Sequence, residues 1–201
     1  MINLSMVIEQ HARMNPDGVA IVSGGSQLSF GALNAEACRV AGALRALGVH
    51  LGDHVALTCP NTAHFPIAYY GSLKCGAAVV PPNVLLKPRE IAQHLEDANT
   101  GVYLCFEGSA DLPLAQMGFE AVRATDCVQH FVVMAIASGG SSPVPGTRTL
   151  GALVANESEV FETVLRSPDD TAPKLNSLRG RANSWPRSSI RGTWNLLMRC
   201  R

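Results

Sequence analysis

Residues 47–98 constrain the fold of this chain more than any other stretch, because almost every residue there belongs to a pattern that predicts a helix, a strand or a turn. The segment reads LGVHLGDHVALTCPNTAHFPIAYYGSLKCGAAVVPPNVLLKPREIAQHLEDA. It predicts a helix end, a strand, a second helix, a second strand, a Pro-rich turn and a third helix. The second strand, residues 77–80, is a continuous apolar run, which is typical of a parallel strand covered on both faces. This alternation favours an α/β fold, a largely parallel sheet with flanking helices.

The sequence on either side continues the same alternation. Ser29 is a typical N-cap for a long helix that ends near Leu47, and Gly48 is the expected left-handed stop. The remaining periodic or apolar segments predict a helix at 4–14, a hairpin of 19–22 with 27–29, strands at 102–106 and 131–136, and helices at 112–124 and 149–154.

The composition changes abruptly near residue 173. Residues 1–172 contain nine Lys and Arg against sixteen Asp and Glu, whereas residues 173–201 contain seven Lys and Arg and no acid. Apolar periodicity ends at the same point. We therefore expect a folded part at 1–172 and a basic, disordered or irregular C-terminal tail at 173–201. One hypothesis is that the tail is translated out of frame, which reading the gene in the other two frames past codon 173 would test.

The remaining composition excludes several classes of site. None of the six cysteines forms a C-x-x-C pair, so buried reduced thiols are expected. The six histidines lack metal-ligand spacing with Cys or Asp, and no Ser–His–Asp pattern is present. The N-terminus carries an acid and no long apolar core, and no apolar run approaches the roughly 18–20 residues of a membrane span. A cytoplasmic protein without a membrane span is expected.

A set of turn and packing residues also recurs in a fixed order between residues 15 and 172. Its members are Asn15-Pro16-Asp17, Ser29-Phe30, Gly48-Val49, Gly52-Asp53, Asn61, Phe65, Tyr70-Gly71, Leu73, Gly76-Ala77, Pro81, Asn83, Leu86, Glu90, Leu95, Asp97 and Thr171-Ala172. In this order the chain resembles the N-terminal part of the adenylate-forming enzymes, most closely the fatty-acid–CoA ligases. The resemblance implies an incomplete N-terminal subdomain of the adenylate-forming ligase fold. Most of these residues are nevertheless explained by turns and core packing alone.

The resemblance also implies a reaction for the full-length family. A carboxylate attacks the α-phosphate of ATP to give acyl-AMP and pyrophosphate, and a thiol, usually coenzyme A, then displaces AMP. ATP, Mg²⁺ and coenzyme A are thus the implied cofactors, and a fatty acid is the implied substrate, with aryl acids and amino acids as alternatives. No residue of this chain is assigned to any of these ligands.

The elements that carry this chemistry are expected downstream of the resemblance. They are a Thr/Ser/Gly-rich phosphate loop ending in Lys, a ribose-binding acid and a C-terminal lysine. In the family a sequence like Asp169-Asp170-Thr171-Ala172 leads into that loop, but here it leads into PKLNSLRGRANSWPRSSIRGTW. The segment 138–146, SGGSSPVPG, has no lysine and two prolines, so it predicts a plain loop. We therefore predict no catalytic, cofactor-binding or metal-binding residues and a chain that is inactive alone.

Two alternatives from other classes remain open. The chain could act as a noncatalytic binding or regulatory module that keeps the N-terminal fold. The basic tail could bind nucleic acid weakly, although it has no motif for specific recognition. Under either alternative, the incomplete sheet is expected to have an unpaired edge strand, which predicts self-association.

Overall fold

Helices and strands alternate through the residues that the computed structural model describes, which are 3–136 and 140–165. These residues belong to one compact unit that ends at Pro168. The predicted tail at 173–201 and the predicted boundary after residue 172 lie outside the described residues.

The elements follow the order predicted from the sequence, with small shifts at their ends. In chain order they are α1 (Ser5–Met14), β1 (Val19–Ser23), β2 (Ser26–Ser29), α2 (Phe30–Ala46), β3 (His54–Thr58), α3 (His64–Lys74), β4 (Ala78–Val80), α4 (Pro88–Asp97), β5 (Val102–Phe106), α5 (Leu114–Arg123), β6 (His130–Met134), β7 (Arg148–Thr149) and α6 (Leu150–Val154).

Short-range hydrogen bonds explain where these elements begin and end. The Ser29 hydroxyl accepts a bond from the Ala32 amide at 3.2 Å and so caps α2, as predicted. Gly48 has a φ of 85°, which allows the chain to leave α2 in a left-handed turn. The Asp53 carboxylate accepts a bond from the His50 amide at 2.8 Å and closes the turn before β3.

The central sheet has five parallel strands in the order β4-β3-β5-β6-β7, and β1 and β2 form a separate antiparallel hairpin. The predicted α/β class with a largely parallel sheet is therefore confirmed. One detail is wrong: residues 78–80 are half-buried rather than covered on both faces, because β4 is the terminal strand of the sheet. The two-residue strand β7 was not predicted.

The main core lies on both faces of β3, β5 and β6. All five residues of β5 are buried, and the side chain of Tyr103, its second residue, is fully enclosed. Helices α2 and α3 pack together, as do α4 and α5. The described cysteines are free, with Cys38, Cys59, Cys75 and Cys105 buried and Cys127 half-buried, as predicted for reduced thiols.

A search for membrane-spanning helices gives a negative result for the described part of the chain. None of its helices combines the length and the apolar character that crossing a bilayer requires.

Candidate functional site

The strand order predicts a crevice at the carboxyl ends of β3 and β5. After β3 the chain adds β4 on one side of it, and then crosses over to add β5 on the other side. The point between β3 and β5 is therefore one where the strand order reverses. The connections that follow these two strands leave the sheet in opposite directions, and a cleft between the two strand ends is expected. Ligands of open parallel sheets bind at this position, which makes it the first place to examine in this fold.

Five residues lie at this reversal point, either at the end of β5 or soon after one of the two strands. Cys59, Thr62 and His64 come after β3, and Phe106 and Glu107 come at the end of β5. The His64 ring packs edge-on against the Phe106 ring with 5.5 Å between their centroids. The Thr62 hydroxyl lies 3.4 Å from Nδ1 of His64 and 3.7 Å from the Cys59 sulfur. Polar side chains that follow β3 therefore contact an aromatic ring at the end of β5.

A buried hydrogen-bond chain fixes the floor of the crevice. The Tyr103 hydroxyl of β5 donates to the Thr58 hydroxyl of β3 at 2.9 Å. The Thr58 hydroxyl in turn donates to the Pro82 carbonyl, in the loop after β4, at 3.4 Å. Burial strongly raises the pKa of the Tyr103 hydroxyl, so it stays protonated and can act as the donor. These two hydrogen bonds connect β5, the end of β3 and the loop after β4.

The protonation states of the lining groups limit what chemistry the crevice can perform. Burial raises the pKa of the Cys59 thiol to about 11, although its hydrogen bond to Thr62 opposes this shift. At neutral pH that sulfur is a thiol and not a nucleophilic thiolate. Burial also lowers the pKa of His64, with the nearby Glu107 carboxylate opposing, so the imidazole is neutral. The crevice offers hydrogen bonds and packing to a ligand rather than an activated nucleophile.

The turn at 140–146, which superficially suggests a phosphate loop, uses its polar groups internally. The hydroxyls of Ser142 and Thr147 lie 2.6 Å apart, and the Val144 amide donates to the Ser142 hydroxyl at 3.2 Å. The Val144 side chain is buried against Ala115 and Val133. A phosphate needs several free, convergent N–H donors, and this turn does not fit one. Residues 137–139 lie outside the described part of the chain.

A second concavity lies on the surface between α4 and α5. It has a volume of about 370 Å³, and it is lined by Pro88, Arg89, Ala92, Gln93, Glu96, Glu120, Ala121 and Ala124. Lys87, the N-cap residue of α4, and Arg89 are exposed. Across residues 3–136 and 140–165, no group of three or more His, Cys, Asp or Glu side chains has an arrangement that could hold a metal ion.

The sequence analysis predicted no site residues, and that stays a prediction. Phe65 and Tyr69 pack against the main core. The residues of the crevice carry no spacing signal, because they come from the ends of two strands about 45 residues apart in the sequence. Only the strand order, which the sequence analysis did not predict, places those two ends side by side.

Comparison with known proteins gives one consistent result. The model of the family described as AMP-binding enzyme matches residues 8–173. The long-chain-fatty-acid–CoA ligase FadD13 of Mycobacterium tuberculosis is 33% identical over 126 residues, which is 62% of this chain and 24% of that protein. A long-chain-fatty-acid–CoA ligase of Bacillus subtilis is 33% identical over 104 residues, 52% of this chain and 19% of that protein.

The fold is similar to that of solved ligases. The crystal structure of the anthranilate CoA ligase AuaEII in complex with anthranoyl-AMP superimposes with a TM-score of 0.73 and 24% identity, covering 84% of this chain and 31% of that one. The chain thus spans about a quarter or less of the length of the curated relatives named above. Since the family model matches well over half of its residues, the chain belongs to the family of AMP-binding enzymes.

Proposed function

We propose that this chain is part of an AMP-forming ligase that joins a carboxylic acid to a thiol at the expense of ATP. The observation that carries the proposal is the family match over residues 8–173, together with a fold shared with CoA ligases. In the complete enzyme the acid and ATP would give an acyl adenylate and pyrophosphate, and coenzyme A would then displace AMP.

A fatty acid is the favoured substrate class. Two relatives that cover half or more of this chain are named as long-chain-fatty-acid–CoA ligases. Aryl acids are the second class, because a ligase of similar fold was crystallised with anthranoyl-AMP. The crevice at the ends of β3 and β5 would contribute a hydrogen-bonding wall to such a ligand. It would not supply a reacting group, since the Cys59 thiol is protonated at neutral pH.

We further propose that residues 1–172 are the family part, that residues 173–201 are a separate basic tail, and that the chain alone does not complete the reaction. The relatives are about four times longer than the part they share with this chain. By the resemblance, the phosphate loop, the ribose-binding acid and the catalytic lysine would lie beyond residue 172. The sequence there, PKLNSLRGRANSWPRSSIRGTW, matches none of them.

An ATP–pyrophosphate exchange assay on the purified chain tests this proposal. We expect no exchange above background with a series of fatty and aryl acids, because the phosphate loop of the family is expected beyond residue 172 and the sequence there lacks it. A complete fatty-acid–CoA ligase assayed in parallel shows that the conditions support exchange. Exchange that depends on the added acid and co-purifies with this chain would contradict the proposed inactivity.

A second candidate is a noncatalytic binding module that keeps the fold. The observation in its favour is a continuous buried core across β3, β5 and β6 in a chain that covers only part of its relatives. A cooperative thermal transition in a monodisperse monomer supports this candidate, whereas a gradual transition in large oligomers argues against it. Nucleic-acid binding through residues 173–201 stays a prediction, and its loss on deletion of those residues is the test.

A further inference from the structure

A buried ionic cluster lies away from the crevice, where three distant segments of the chain meet. The Lys74 ammonium, at the end of α3, contacts the Glu9 carboxylate of α1 and lies 3.4 Å from the Thr163 hydroxyl. That hydroxyl donates to the same carboxylate oxygen of Glu9. The side chain of Lys74 is 1% exposed and that of Glu9 is 20% exposed. A charged side chain enclosed to this degree is uncommon and needs a physical explanation.

Backbone hydrogen bonds surround the cluster and join the same three segments. The Val164 amide donates to the Lys74 carbonyl at 2.9 Å. The Asn3 side-chain amide donates to the Leu73 carbonyl at 2.7 Å and to the Val164 carbonyl at 2.8 Å. The residues before α1 and those after α6 are therefore both attached to the last turn of α3.

Residues 157–165, here called the strap, follow α6 and contain no helix or strand. Side chains hold the strap on α2: the Arg39 guanidinium pairs with Glu159 at 2.5 Å, and that of Arg45 lies 4.8 Å from the centre of the Phe161 ring. Glu157 packs against Gly42, also on α2. Two acidic residues of the strap therefore contact α2. The cluster around Lys74 holds the far end of the strap.

The energetics of buried ion pairs indicate what the cluster contributes. Removing a lysine and a glutamate from water costs several kcal/mol each, and a well-packed apolar group of similar volume often gives equal or greater stability. Apolar groups can shift against one another and keep their contact. A buried ammonium, in contrast, keeps its hydrogen bonds only where its acceptor atoms lie close together around it. The cluster is therefore better suited to fixing the position of a segment than to adding stability.

We propose that Glu9, Lys74 and Thr163 form a clasp that holds the strap in one position on α2 and α3 and so fixes where the chain continues after Leu165. Lys74 is the positioning residue, and Thr163 is the strap residue that it holds. In a complete enzyme of the proposed family the nucleotide-binding segment would follow this point, so a clasp there would set the place from which that segment starts; in this chain the proposed basic tail follows instead. This last step rests on the proposed function, whereas the clasp itself does not.

Hydrogen exchange measured by mass spectrometry on the full chain tests the clasp. The decisive variant is Thr163→Val, which removes one hydroxyl from a half-buried position and leaves the core intact. We expect amides of the strap to exchange about tenfold faster than in the wild type, because the variant loses a charge-assisted hydrogen bond. Peptides from β5 should keep their protection. Lys74→Met should release the strap further, and Lys87→Met, at an exposed lysine, is the matched control.

Two results would overturn the clasp. One is strap exchange in Thr163→Val that equals the wild type. The other is equal loss of protection in the strap and in β5, which would show that the cluster supports the whole fold and positions nothing in particular. If Lys74→Met does not fold, Thr163→Val alone decides the outcome. None of these results depends on ligase activity, so failure of the clasp and failure of the proposed function are distinguishable.

Discussion

The ionic partners of Lys74 cannot be identified from the sequence around it. It is the only Lys, Arg, Asp or Glu between Asp53 and Lys87, which is a signal that something must satisfy its charge. Its partners Glu9 and Thr163, however, lie 65 and 89 residues away. No local pattern connects positions so far apart, and for this reason the sequence analysis did not single the residue out. At the residue scale the ionic partner could be predicted only from the tertiary fold.

The same cluster predicts a dependence of stability on pH. Hydrogen bonds from Lys74 and Thr163 outweigh the opposing effect of burial and lower the pKa of Glu9 in the folded chain. The unfolded chain therefore binds a proton at Glu9 more readily than the folded chain does. The contribution of Glu9 to the free energy of unfolding is fully present above the ordinary glutamate pKa, and it is lost as the pH falls through the pKa of Glu9 in the folded chain. We expect the stability difference between the wild type and Glu9→Gln, measured by urea unfolding, to shrink between pH 6 and about pH 3.

The control for this measurement is Glu120→Gln, at an exposed position on α5. Its difference from the wild type should stay small over the same pH range, because exposed charges contribute little. A constant difference for Glu9→Gln from pH 6 to pH 3 would contradict the ion pair with Lys74.

At the scale of elements, local signals account for most of what the sequence predicted. Ser29, Gly48 and Asp53 act within three or four residues of themselves, so their caps and turns could be predicted without knowledge of the fold. Strand β7 has two residues, Arg148 and Thr149, and exists because β6 lies beside it. The strap and the crevice likewise depend on contacts between distant segments. Elements defined by such contacts could not be predicted from periodicity.

The contact between α2 and α3 predicts the effect of a one-methyl change. A Cβ atom added at Gly71 of α3 would lie 2.5 Å from a methyl carbon of Val40 and 3.0 Å from the Ala37 carbonyl, both on α2. The steric cost of Gly71→Ala is about 1–3 kcal/mol, because the two helices must separate to admit the methyl group. Alanine gains roughly 1 kcal/mol over glycine within a helix, so we expect a net destabilisation of up to about 2 kcal/mol. The measurement is the midpoint of urea unfolding.

Gly101→Ala is the matched control for this substitution. A Cβ atom there meets no heavy atom within 4 Å, and Gly101 is not among the residues with positive φ. We expect its unfolding midpoint to equal or slightly exceed that of the wild type. Equal midpoints for the wild type and Gly71→Ala would show that α2 and α3 are not packed as closely as described.

At the scale of the whole molecule, the terminal strand β4 affects whether copies of the chain associate. Within the described residues β4 pairs with β3 alone. The Ala78 amide donates toward β3, to the Asp53 carbonyl at 2.8 Å, so the alternation of a strand directs the Val79 amide to the opposite side. An edge with such a free donor is a template for another strand. We therefore predict concentration-dependent oligomers of this chain, measured by light scattering during size-exclusion chromatography.

The pair Val79→Pro and Val79→Ala tests whether this edge is responsible. Both variants lose the valine side chain, which packs partly against the core, but only proline removes the backbone donor. Proline is tolerated at an edge position whose N–H points away from the sheet, so the strand itself should survive. We expect Val79→Pro to be monomeric at concentrations where Val79→Ala still associates. If the two variants associate equally, the oligomers form through another surface, and the prediction drawn from the sheet edge is wrong.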